Sequence, residues 1–192
     1  MRKLILEEWM SLNGFVTDKD GGLDFFAQLT SEQNTYSDKE QLKFLDSVDT
    51  ILLGRKTYEL FVGFWPNATT DKEVVADKLN EIDKIVFSNT LTEALWGNWK
   101  PAKIISEDVV SAIKELKALP GKNMVLWGSI SLAQTLMKEN LIDEYHIQLC
   151  PAVNGGGRNL FPEDFAMNNL TLFEVRHYDS GTVFLDYRLK RQ

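Results

Sequence analysis

A chain of 192 residues, 44% of them hydrophobic, carries enough apolar surface for one domain with a substantial core. Its net charge of −7 argues against a nucleic-acid-binding surface. No apolar run reaches the length of a membrane span, and no secretory signal is visible at the start. Cys150 is alone, which excludes an internal disulfide and fits a reducing cytoplasm. With no repeat or linker, residues 1–192 read as a single domain.

In chain order, Leu4 to Met10 has strand character and is broken by Ser11-Leu12-Asn13-Gly14; Phe15 and Val16 resume a strand before a polar turn. Residues 22–36 have weak periodicity and several aromatics, and read as an irregular excursion of the kind that covers a site or merely packs. Ser37-Asp38-Lys39-Glu40 has the form of a capping box, predicting a helix that begins there and turns Leu42, Leu45 and Val48 inward. Thr50 to Leu53 is a buried strand ending at Gly54, and Arg55-Lys56-Thr57-Tyr58-Glu59 opens a helix stopped by Gly63-Phe64-Trp65-Pro66. Val75, Leu79 and Ile82 suggest a short helix. Lys84 to Phe87 is a third strand, ending at Ser88-Asn89-Thr90. Lys103 to Ile105 is a fourth, ending at Ser106, and an acidic first turn at Glu107-Asp108 leads into another helix.

Met124 to Trp127 is a short apolar run that stops at Gly128-Ser129, after which Ile130, Ala133 and Met137 take the period of a helix. A strand that turns at glycine into a helix leaves backbone N–H groups pointing outward, with a positive dipole end behind them. Such a junction accepts a pyrophosphate or serves only as a tight turn. Glu144 to Leu149 alternates as a strand, and a terminal hairpin joins Leu170–Tyr178 to Thr182–Leu189 through Asp179-Ser180-Gly181. Strands separated by helices predict a three-layer α/β/α fold. Its mixed, mainly parallel sheet would have a C-terminal antiparallel hairpin. The strands ending at Gly54, Ser88, Ser106 and Gly128 should then finish on one side, where open α/β sheets bind ligands.

Arg55 and Lys56 oppose the dipole of the helix they open, a penalty that a phosphate reverses and a solvated basic turn leaves in place. Thr57 caps that helix or donates to the same phosphate. Ser88, Asn89 and Thr90 are turn formers that become a second phosphate-binding edge only in Arg55's company. Asp38 is a substrate anchor or proton source, or simply an acid favoured at a helix N-terminus. His146 faces solvent or fills a satisfied position, as does His177. Two histidines and one cysteine show no zinc spacing, so no metal is expected. Cys150 reads as a small core residue. Asn154-Gly155-Gly156-Gly157-Arg158 resembles a backbone nest.

These residues together resemble the dihydrofolate reductase-like superfamily. The nearest match is the reductase domain of the riboflavin-pathway deaminase-reductase (the RibD C-terminal domain) and its stand-alone relatives. The similarity runs through Ser11–Gly14, Ile51–Glu59, Val86–Thr90 and Val125–Phe161, nearly the full chain. It implies a dihydrofolate reductase-like sheet of about eight or more strands, NADPH as cofactor, and a cytoplasmic homodimer with no membrane or nucleic-acid partner. It places the cofactor's phosphates at Gly54, Arg55, Lys56 and Thr57. The 2′-phosphate falls near Arg55, Ser88, Asn89 and Thr90, and the pyrophosphate at Gly128, Ser129, Ile130 and Ser131. Nicotinamide and substrate meet near Ser11, Gly14 and Trp127, which bind substrate, and Asn13, a catalytic position together with Asp38; Asp38 or an ordered water supplies the proton.

The implied reaction is hydride transfer to a C=N-type bond of a pterin- or ribosylaminopyrimidine-like molecule, as in 5-amino-6-(5-phosphoribosylamino)uracil reductase. Three departures bear on it. Gly128-Ser129 replaces the Gly-Gly of true dihydrofolate reductases. Asn13 stands where near relatives often carry Asp. The zinc-deaminase signature is absent. An NADPH-binding scaffold without turnover, and dihydrofolate reductase proper, are the alternatives.

Overall fold

The computed structural model describes residues 1–27, 31–166 and 169–190. Its strands are β1 (Leu4–Ser11), β2 (Val48–Gly54), β3 (Asp83–Phe87), β4 (Lys103–Ile105), β5 (Asn123–Trp127), β6 (Glu144–Cys150), β7 (Leu170–His177) and β8 (Val183–Leu189). Its helices are α1 (Asp24–Ala27), α2 (Ser31–Asp46), α3 (Arg55–Val62), α4 (Ala76–Glu81), α5 (Val109–Ala118) and α6 (Ile130–Lys138).

All eight strands join one sheet in the order β4-β3-β2-β5-β1-β6-β8-β7. The first six of these positions run parallel, and β8 and β7 pair antiparallel at the end. Parallel strands need crossover helices, and helices on both faces demand strands apolar on both faces. The central strands comply, since Leu4, Leu6, Leu52, Leu53, Val125 and Leu126 are wholly buried. On one face α5 and α6 bring Ile113, Ile130, Leu136 and Met137 against Leu4, Leu6, Leu52, Met124 and Leu126. On the other, Leu45, Tyr58 and Leu79 from α2, α3 and α4 cover Ile51, Leu53, Val86 and Val125.

Several sequence expectations need correction. The excursion expected over 22–36 is largely helical in its described parts, with residues 28–30 outside the described set. α2 begins at Ser31, so the Ser37–Glu40 box lies inside a helix and starts nothing. No Gly or Pro lies between Ser31 and Ser37, and an established helix extends cheaply through residues of middling propensity. Val48 belongs to β2, not to the preceding helix. Phe15 forms a single bridge to Asn159 where a strand was expected.

Candidate functional site

Parallel pairing puts the carboxyl ends of β4, β3, β2, β5 and β1 in one line. Gly54 is the register partner of Phe87, so Ser88 begins one step beyond it. On the other side Leu52 pairs with Leu126, and β5 then runs out through Trp127 into Gly128. Ser106, Ser88, Gly54, Gly128 and Ser11 therefore follow one another along a single rim.

Between β2 and β5 the chain leaves the sheet in opposite directions. α3 follows β2 onto the face that holds Tyr58, and α6 follows β5 onto the face that holds Ile130. This is a topological switch point, where two helix starts open onto one crevice. No side chain caps either start, and neither first turn contains an acid. Ser129 holds the two together. Its Oγ accepts from the Gly54 amide at 2.6 Å and lies 2.8 Å from the Thr57 hydroxyl. The approach is close enough to require glycine. A Cβ on Gly54 would lie 2.7 Å from Ser129 Oγ, and one on Gly128 would meet Thr57 at 3.0 Å. Gly128 and Ser129 both adopt left-handed φ, +57° and +60°, and so turn β5 abruptly into α6.

Cations gather at this crevice. Arg55 and Lys56 are exposed. Arg55 pairs with Glu59 at 2.7 Å, one helical turn on, an exposed contact readily exchanged for a stronger anion. Arg158 comes from the glycine-rich loop to donate to Ser131 Oγ at 3.1 Å, in the first turn of α6. Sequence reading left Arg158 in a loop with no ligand, because nothing local says where that loop folds back. Ser88 Oγ accepts from the amides of Thr90 and Leu91 at 3.2 and 3.1 Å, which turns the chain and leaves Asn89 and Thr90 exposed beside Gly54.

Farther along the rim, Ser11 is fully buried and donates to Asn13 Oδ1 at 3.0 Å. The Asn13 amide is paired at both ends with the backbone of Asn154, donating at 2.8 Å and accepting at 3.0 Å. The structure thus employs Asn13 as a staple between the Gly14 turn and the glycine-rich loop. Trp127 is buried, and its Nε1 donates to Glu7 Oε2 at 2.6 Å. Asp38 lies well inside α2, away from its start, so favour at a helix N-terminus does not account for it. Partial burial and the nearby charge of Glu73 raise its pKa.

Glu8 was not singled out from the sequence. It follows Glu7, the register partner of Trp127, and so lies beside Gly128. Its Oε1 accepts from the Trp9 amide at 3.3 Å, while Oε2 is enclosed with no hydrogen-bond partner. Burial, reinforced by the charge of Glu7, pushes its pKa up to about 8 against the pull of the Trp9 and Gly128 amides. At neutral pH this rim therefore holds a carboxylic acid next to a crevice lined by amides and cations.

Fold and crevice together define an open α/β protein whose switch point presents two uncapped helix starts. Residues 2–184 match the family model of the RibD C-terminal domain. The uncharacterised protein YyaP of Bacillus subtilis (strain 168) is 32% identical over 188 residues, 97% of this chain and 94% of YyaP. The crystal structure of a candidate riboflavin biosynthesis protein from Shewanella sp. PV-4 is similar over the whole of both chains, with a TM-score of 0.78 at 25% identity. The fold also matches a diaminohydroxyphosphoribosylaminopyrimidine deaminase/5-amino-6-(5-phosphoribosylamino)uracil reductase of Thermotoga maritima, with a TM-score of 0.65 at 12% identity. That match covers 98% of this chain and 57% of that one. The chain belongs to the RibD C-terminal domain family.

Proposed function

We propose that this protein is an NADPH-dependent reductase that delivers hydride to a C=N-type bond of a pterin- or ribosylaminopyrimidine-like substrate. The observation that carries the reading is the pair of uncapped helix starts, α3 and α6, locked side by side through Ser129 at the β2/β5 switch point. A dinucleotide phosphate fits these donors. The first-turn amides at Arg55–Thr57 and Ile130–Leu132 suit a pyrophosphate. Arg55 and Lys56, with Ser88, Asn89 and Thr90 on the neighbouring strand end, suit the extra 2′-phosphate.

When bound, the nicotinamide supplies the hydride. The chain orients the two rings and excludes water. Trp127, fixed by Glu7, ends β5 packed against Phe61 of α3. Glu8, in its acid form, has a proton to give beside Gly128, and Asp38 is the second candidate.

The test is a fluorescence titration with NADPH, followed by oxidation assays across pterins, dihydrofolate, flavins and ribosylaminopyrimidines. Micromolar binding with turnover of one class is expected, whereas absence of NADPH binding rejects the reading. A scaffold that binds without turnover is favoured by one feature, the fully paired Asn13 amide, which offers no ionic group where near relatives often carry a carboxylate. Binding without oxidation of any substrate in the panel selects that alternative, and methotrexate-sensitive turnover of dihydrofolate selects dihydrofolate reductase.

A further inference from the structure

Away from the rim, the register of three adjacent strands builds a buried polar row. Glu7 of β1 pairs with His146 of β6, and His146 with Asp186 of β8. All three are at least nine-tenths buried, as is Glu144, two residues before His146 on the same face of β6. His146 was expected to face solvent or to be satisfied. Instead its Nε2 is buried with no hydrogen-bond partner.

That nitrogen points at two carboxylates, 3.7 Å from Glu144 Oε2 and 3.8 Å from Asp186 Oδ1. Both separations are too long for hydrogen bonds. They match the roughly 3–4 Å edges between ligand atoms that share a metal ion at about 2.0–2.2 Å. One donor atom from each of Glu144, His146 and Asp186 lies within 4.8 Å of the others. The carboxylates are held from behind. Lys3 donates to the other Glu144 oxygen at 2.6 Å, and Arg188 Nη2 to Asp186 Oδ2 at 2.9 Å. Arg188 Nε makes only a 3.4 Å contact with Oδ1. Glu144 thus spends one oxygen on Lys3 and turns the other toward His146, while Asp186 turns Oδ1 toward His146 although that oxygen also takes the long Arg188 Nε contact. Cations behind both acids orient them as outer partners orient metal ligands.

We propose that Glu144, His146 and Asp186 bind one first-row divalent cation. One imidazole and two carboxylates, without a thiolate, suit zinc or manganese. Three protein ligands leave a coordination position open. His146 and Asp186 also line a cavity of about 210 Å³, which provides the approach. A further buried atom lacking a hydrogen-bond partner, Gln148 Oε1, belongs to a residue lining the same cavity and is suited to accept from a water on the metal. The site is separate from the switch point, and its success or failure leaves the cofactor reading untouched.

The chain's two histidines make the test direct. Chelator-treated protein is titrated with Zn²⁺ and, separately, Mn²⁺ by equilibrium dialysis, and the imidazole resonances are followed by NMR during the zinc titration. One equivalent per chain is expected, with His146 ring signals moving and those of exposed His177 staying in place. Asp186→Asn and His146→Gln should each weaken binding at least tenfold. Absence of binding, movement of His177 alone, or unchanged affinity in folded variants overturns the proposal. If the variants do not fold, the wild-type NMR titration decides.

Discussion

Burial keeps the Glu8 proton on in the native state up to about pH 8, and that has two consequences at the residue scale. A buried carboxyl whose pKa rises from 4.5 to about 8 favours folding most below the unfolded value. Above pH 4.5 the unfolded chain releases this proton while the native chain holds it, so the contribution declines as pH rises and is gone above about 8. Glu8→Gln removes this loss. Urea denaturation should therefore show the variant gaining on wild type between pH 5 and pH 8, and a constant difference across that window would place the titration elsewhere. The second consequence concerns turnover. If Glu8 donates the proton, wild-type kcat falls as pH passes about 8. Glu8→Gln should then lose about 10²–10⁴-fold at neutral pH together with that alkaline limb. A variant that keeps the limb would hand the role to Asp38. If Arg55 grips the 2′-phosphate of the proposed cofactor, Arg55→Ala should weaken NADPH by tenfold or more and leave NADH nearly unchanged, because only NADPH carries that phosphate. Equal losses for both nucleotides would remove Arg55 from that role.

The junction of β2-α3 with β5-α6 acts as one element, and its glycines are where it breaks. Gly128→Ala puts a side chain on left-handed backbone at a cost of about 1–2 kcal/mol. The new Cβ also presses on Thr57, 3.0 Å away. Loss of that much stability in urea melts is expected, with a larger proportional loss of NADPH affinity, since α6 would no longer start at its present angle. Unchanged affinity would mean that the α6 start does not hold the nucleotide. Much of this element was legible in the sequence because apolar runs stop at Gly54, Ser88 and Gly128, and such stops fix both strand end and helix start. The start of α2 was not, because Ser31 to Thr35 offer no apolar period and the Ser37–Glu40 pattern imitates a cap. Nor was the row of Glu7, His146 and Asp186, which local spacing cannot reveal because only lateral register brings three separate strands together. The Asn13–Asn154 staple was hidden in the same way, since it joins the loops after β1 and β6, which are far apart in sequence.

For the whole molecule, the sheet has two ends of different character. At one end β4 is short, which limits the edge it offers. At the other, β7 spans Leu170–His177 at the outside of the sheet, with Leu172, Phe173 and Val175 48%, 61% and 51% exposed. An outer strand presents unpaired backbone groups, and a long apolar one invites a second chain. Phe173 is partly screened by Arg188, whose guanidinium lies 3.2 Å from the ring centroid, but Leu172 and Val175 have no such cover among the described ring and cation contacts. The homodimer implied by family resemblance has in β7 a surface suited to form it. Sedimentation of the wild-type chain at micromolar concentration should report a dimer. Leu172→Lys with Val175→Lys should convert it to a monomer, since lysine on an outer strand opposes pairing. NADPH binding should survive, because the switch point lies at the β2/β5 junction, several strands away. A wild-type monomer would refute dimerisation, and a lysine variant that stays dimeric would move the contact off β7.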